Sequence, residues 1–171
     1  MAHTAIQILF YSGIRFGELL ALHPADLDFN ANTISITKSM QRKGGKDIYT
    51  PPKTENGIRT VNMPTAIMEE LKAYIGKIYG IQPHQRIFPF TKTFISNTIR
   101  RCSAAANEPY IRIHDLRHSH VSLLIELGFS PHLIADRIGD TVQMVNNTYG
   151  HLYPNKQSEV SDRLNSILVS K

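Results

Sequence analysis

Three strings, "SGIRFGELLAL", "HDLRHSH" and "NNTYGHLYP", place arginine, histidine and tyrosine where they could act on a charged substrate. His114 and Arg117 are three residues apart, so a helix projects both from one side and sets a proton carrier beside a permanent cation. A phosphodiester under nucleophilic attack calls for that pair: cations on its non-bridging oxygens and a proton-moving group at its bridging ones. Arg15 stands between a glycine break and an apolar helix, where an arginine is either solvated or held against an anion, and Glu18 can pair with it along the helix face. Tyr149 has a hydroxyl of reference pKa near 10, so only about 0.1% is ionised at neutral pH and a nucleophilic role needs a base or cations beside it. Taken alone, Tyr149 reads equally as a packed ring with a wet tip, and Arg15 with Glu18 as a helix-start salt bridge.

Two other chemistries fit parts of these strings. His114 and His118 lie four apart, as two zinc ligands on one helix would, but the metalloprotease pattern needs glutamate where Asp115 stands, and a divalent cation sits poorly beside Arg117. "PHLIADRIGDTVQMVNNTY", with Ala135 and Gly139, reads as helix, turn and helix, the pattern of a DNA-binding regulator without catalysis. Such a regulator has no need of Arg15, His114, Arg117 and Tyr149 together.

The elements that must position these groups follow from periodicity and breakers. Apolar residues at helical spacing from Ala5 to Leu22, interrupted at Ser12 and Gly13, predict two helices joined at "YSGIR". "NTISITKSM" alternates as a strand, "GGKD" is a turn, and "IYTPP" and "GIRTVNMP" follow, which predicts one small antiparallel sheet of two or three strands. Pro51 and Pro52 confine the middle segment to an edge or loop. Helices are then expected from a cap at Thr65 to Gly80, after Thr91, through "HDLRHSHVSLLIELG", and from Ser130 and Pro131 to Gly139. Asp140 is the expected cap of the next helix, with Gln143 completing a capping box, and "KQSEVSDRLNSILVS" forms a last amphipathic helix. The fold class is α+β, mainly α, with the sheet packed at the edge of a helical bundle.

Composition bounds the rest. With 171 residues and 42% hydrophobic content, one compact domain with its own core is expected. A single cysteine, Cys102, excludes an internal disulfide framework, and "MAHTAIQILF" lacks the basic start and cleavage site of a secretory signal, so a reducing cytoplasmic setting is expected. No apolar run reaches the roughly 18 residues of a membrane span, and no membrane partner is expected. The net charge of +5 favours a polyanion as partner. Its sources cluster: Lys38, Arg42, Lys43, Lys46, Lys53 and Arg59 in one segment, and Arg86, Lys92, Arg100, Arg101, Arg112 and Arg117 in a second. Lys38, Arg42, Lys43, Arg59, Arg100 and Arg101 are the residues expected to meet DNA.

In order and spacing, the three strings closely resemble the catalytic domain of tyrosine recombinases of phages and conjugative elements, from about Thr4 to about Asn165. The resemblance implies the catalytic-domain fold of that family and strand exchange on double-stranded DNA attachment sites without metal or cofactor, by a tetramer in the full-length protein. The tyrosine forms a 3′-phosphotyrosyl link and frees a 5′-hydroxyl, which is later rejoined. On this likeness Arg15 and Arg117 clamp the phosphate, His114 takes the tyrosine proton or supports the group that does, and Tyr149 is the nucleophile. Lys53, in "PPKTENGIRTV", matches the family's general-acid lysine better than Lys38, Lys43 or Lys46. Residues 1–171 then form a single C-terminal catalytic domain without the core-binding and arm-binding domains that usually precede it. One position departs from the pattern: Asp140 stands where relatives commonly carry histidine or tryptophan, and an ionised aspartate cannot donate to a phosphate oxygen. Its role is capping and positioning, or the missing donor comes from elsewhere, His151 being the candidate.

Overall fold

The computed structural model describes residues 1–52, 55–154 and 157–169. The first two helices are α1 (Ala2–Ser12) and α2 (Phe16–Leu20). Between them Gly13 takes a left-handed conformation, φ 68°, and its N–H closes on the Leu9 carbonyl. This ends α1 where the sequence pattern breaks. Ala5, Ile8 and Leu9 are buried, which makes α1 the axis against which α3 (Thr65–Gly76), α4 (Lys92–Ala105) and α5 (Asp115–Glu126) pack.

Strand structure is divided where one sheet is expected. β1 (Leu27–Asp28), β2 (Thr33–Ile36) and β5 (Arg59–Asn62) form a three-stranded antiparallel sheet with β2 central and Ile34 opposite Val61. β3 (Ser39–Lys43) and β4 (Lys46–Thr50) form a separate two-stranded ribbon closed at Gly44 and Gly45, whose φ values of 58° and 77° suit a tight hairpin. "NTISITKSM" is therefore two strands, parted at Thr37 and Lys38, and Lys38 is drawn off to Asp26 by two bonds of 2.6 and 2.7 Å. Met40 anchors the ribbon by packing with Leu20 and Ala21 of the α2 end.

Helix ends show which local signals prevailed. Thr91 and Ser130 cap α4 and α6 (Pro131–Ile138) through their side chains. Thr65 is the first residue of α3 rather than its cap, which is Pro64, and α3 stops at Gly76, four residues before the expected Gly80. The cap of α7 (Val142–Tyr149) is Thr141, whose Oγ1 accepts from the Met144 N–H at 3.2 Å. The capping box expected from Asp140 and Gln143 is thus replaced, and Asp140 is left for other partners.

Two main apolar clusters result, beside the small group of Leu20, Ala21 and Met40. The larger joins α1, α2, the three-stranded sheet, α3, α4 and, from the start of α5, Leu116. The smaller comprises Val121, Ile125, Ile134, Ala135, Ile138, Val145 and Tyr149. Helix α5 belongs to both, and the side chains between Leu116 and Val121 lie along the seam. The last helix, α8 (Gln157–Val169), leaves Val160, Leu164, Ile167, Leu168 and Val169 exposed. Among the described residues no helix is long and apolar enough to cross a membrane.

Candidate active site

The seam holds the polar groups. Arg117, only 4% exposed, donates from Nη1 to the carbonyls of Gly13 (2.7 Å) and Ile138 (2.8 Å), where α1 and α6 end and partial negative charge favours a cation. Burial lowers its pKa to about 10, so it stays charged at neutral pH. Its Nη2 donates to Asp140 Oδ2 at 3.2 Å. Arg15, the residue before α2, donates from Nη2 to the same oxygen at 2.8 Å and from Nη1 to Glu18 Oε1 (3.3 Å) and the Gly139 carbonyl (3.4 Å). With a side chain 43% exposed, Arg15 is the open member of the pair.

Behind them Glu18 is buried and takes the Arg15 backbone N–H (2.9 Å) and Arg59 Nη2 (2.9 Å). Burial works to raise its pKa, but the bonds and charges of Arg59 and Arg15 together leave it below the usual range. Arg59 also donates to the carbonyls of Arg137 (2.9 Å) and Gly57 (3.0 Å), with a side chain 6% exposed. The arginine expected on a DNA-facing surface is therefore placed inside, as the support of Glu18. Gly139, φ 66°, makes room for it: a Cβ there would fall 2.5 Å from Arg59 Nη1.

Tyr149 ends α7 with its ring in the smaller cluster, and its hydroxyl lies 2.6 Å from His118 Nδ1. Burial raises the phenol's pKa, the charge of Arg117 draws it down, and that of Asp140 raises it. His114 stacks edge-on against His118, ring centroids 4.8 Å apart. Its pKa is lowered by burial and then by His118 and Arg117. The hydroxyl's partner is thus His118, which the sequence offers only as a metal ligand. The available signal was register: residues 114, 117 and 118 share one side of a helix.

The remaining sequence candidates are spread out. Lys38 is ion-paired to Asp26, Arg42 is exposed and 3.8 Å from Asp47, and Lys43 is exposed at the tip of the ribbon. Arg100 lies over the Tyr110 ring at 5.0 Å and Arg101 is exposed nearby on α4. His151 is exposed in the short turn Gly150–Leu152 and bonds to none of Arg15, Arg117 and Tyr149. Lys53 lies outside the described residues. Among the described residues no group of three or more His, Cys, Asp or Glu is placed to hold a metal ion, and His118 Nδ1 faces the tyrosine.

A mainly helical domain with two edge sheets gathers paired arginines, two histidines and a buried tyrosine at its seam, the residue types that the resemblance to tyrosine recombinase catalytic domains calls for. The sequence profile of the phage integrase family matches residues 2–156, and the chain belongs to that family. It is 34% identical to the ICEBs1 integrase of Bacillus subtilis (strain 168), an alignment covering 96% of this chain and 49% of that protein. It is 26% identical to a XerC-like tyrosine recombinase of Caldanaerobacter subterraneus, covering 95% of this chain and 48% of the other. The chain thus spans about half the length of these relatives. Among solved structures, the Tn1549 transposon integrase in complex with circular intermediate DNA superposes with a TM-score of 0.78 at 22% identity, covering 97% of this chain and 59% of that one. The catalytic domain of bacteriophage HP1 integrase gives 0.62 at 20% identity, covering 95% and 80%. These likenesses bear out the fold class, and the regulator and metallohydrolase readings are not favoured.

Proposed function

We propose that this domain cuts and rejoins DNA at attachment sites of a mobile element, in a bacterial cytoplasm, as the catalytic half of a recombinase that works as a tetramer. The observation that carries this reading is a buried phenol bonded to an imidazole beside two guanidiniums that converge on one point. Tyr149 Oη attacks the scissile phosphorus as its proton passes to His118 Nδ1, and His114 flanks the acceptor. Arg15 and Arg117 take the charge that grows on the non-bridging oxygens. The bond from phosphorus to the 5′-oxygen breaks, leaving a 3′-phosphotyrosine and a 5′-hydroxyl, whose proton Lys53 supplies on the family likeness. The reverse sequence rejoins the strand without external energy. The exposed cations Arg42, Lys43, Arg100 and Arg101 hold the flanking backbone, and such binding weakens steeply with salt.

A nicked duplex carrying the element's junction sequence tests this, because loss of the short cut strand traps the intermediate. Wild type should give a protein–DNA adduct that survives denaturant and forms in EDTA, and Tyr149→Phe should give none. An adduct persisting in Tyr149→Phe would assign the nucleophile to another residue, and loss of the adduct in EDTA would require a metal.

A further inference from the structure

The arginine pair already holds an anion, and it belongs to the protein. Arg117 commits Nη1 to the Gly13 and Ile138 carbonyls, and Arg15 commits Nη1 to Glu18 and the Gly139 carbonyl. The other terminal nitrogen of each, Nη2, ends on one atom, Asp140 Oδ2. A single oxygen shared by two guanidiniums is what a non-bridging phosphate oxygen must become to be clamped by both. We propose that Asp140 is a resident substitute for the scissile phosphate: it aligns Arg15 and Arg117 in the free enzyme and must give up that seat when DNA arrives. The proposal rests on the reading that these arginines bind phosphate.

Three observations support an exchangeable occupant over a fixed brace. Thr141, not Asp140, caps α7, so the helix does not depend on this carboxylate. Its Oδ1 accepts only the Thr141 N–H at 3.1 Å among the described residues, while Oδ2 carries the arginines. The Asp140 side chain is 20% exposed, so an incoming group can reach it, whereas Glu18 behind it is 4% exposed. Charge sets the cost. Arg15, Arg59 and Arg117 contact two carboxylates, Glu18 and Asp140, so the cluster carries three positive charges against two negative. A phosphodiester brings the sum to zero while Asp140 stays, so carboxylate and phosphate compete for the one unmatched positive charge. The residue thus gives the free enzyme ordered arginines and scales its affinity for phosphate down to the fraction of time the seat is empty.

The test uses inorganic sulfate as probe, read by NMR shifts of the Arg15 and Arg117 side-chain N–H groups in the 171-residue chain. Asp140→Asn, which preserves shape and the Thr141 bond, and Asp140→Ala should each bind sulfate at least about tenfold more tightly than wild type, since a unit charge next to an anion in a partly buried site is worth at least that. Asp140→Glu, which keeps the charge, should stay near wild type. A residue that merely braced the arginines would lose affinity on removal. Unchanged or weaker sulfate binding in both Asp140→Asn and Asp140→Ala overturns the proposal, as does an equal gain in Asp140→Glu. If Asp140→Asn gains sulfate affinity while wild type forms no DNA adduct, the seat stands and the strand-cutting reading alone fails.

Discussion

On the proposed function, the Tyr149 proton leaves from a residue only 5% exposed, which favours a neighbouring side chain as its acceptor. Only His118 is in bonding reach of Tyr149 among the described residues. His118→Gln should therefore slow adduct formation by about 10² to 10⁴-fold, the usual worth of a positioned base. Replacing Tyr149 in that variant with a fluorinated tyrosine of lower pKa should recover much of the loss, because a more acidic phenol needs the acceptor less. If His114→Gln is the slower variant and the fluorinated residue rescues that one, the assignments exchange. At this scale the sequence offered the candidate residue types but not every partner. Arg15, Arg117 and Tyr149 stand in strings whose chemistry is local, whereas the bond from His118 spans 31 positions and depends on where α7 ends. Asp140 illustrates the same limit: local rules make it a cap, yet arginines 125 and 23 positions away claim it.

The turn between α6 and α7 gives the element scale its sharpest case. Gly139 and Gly128 both sit at positive φ, 66° and 84°, so alanine at either place meets the same backbone penalty, about 1 to 2 kcal/mol. Beyond Gly128 there is open space, while beyond Gly139 lies the Arg59 guanidinium. Gly139→Ala should thus cost more stability than Gly128→Ala in urea unfolding, and only Gly139→Ala should slow adduct formation, through displaced Arg59 and Glu18. Equal costs and equal rates in the two variants would mean that Arg59 yields freely. Gly139 was legible as a helix stop. The burial of Arg59 was not, because its basic neighbourhood reads as a solvated face and its carboxylate partner lies 41 positions upstream. The two sheets were missed similarly: "NTISITKSM" alternates throughout, and only the pull of Asp26 on Lys38 marks the break.

For the whole molecule, the seam between the two apolar clusters is joined by buried polar groups. Arg137 donates to the Tyr11 and Asn62 carbonyls and to His120 Nε2, at 2.8, 2.9 and 3.1 Å. His120 is 3% exposed, and burial, then the charges of Arg137 and Arg117, hold its pKa at about 4 against 6.5 for a free histidine. Below pH 6.5 the unfolded chain takes a proton that the folded chain refuses. Stability is therefore intact above pH 6.5 and falls by about 3 kcal/mol as the pH approaches 4. Urea unfolding at a series of pH values should show this slope in wild type and a flatter one in His120→Asn; parallel slopes would place the titration elsewhere. Glu18, with its carboxyl held below the usual range, adds its own loss only at lower pH, as acid reaches that depressed value. Composition and the order of motifs were enough to indicate a mainly helical fold, but not the division between its two main apolar clusters, since both draw on the same helix.

On the proposed function, that division makes the site a coincidence detector. Arg15 is carried by the larger cluster and Tyr149 by the smaller, with Arg117 tied by its Nη1 to a carbonyl on each side. A molecule with either cluster unformed, or with both formed but unseated, presents a nucleophile without its clamp or a clamp without its nucleophile. On that reading such a molecule lacks a complete site, so a partly folded copy would not begin a cut.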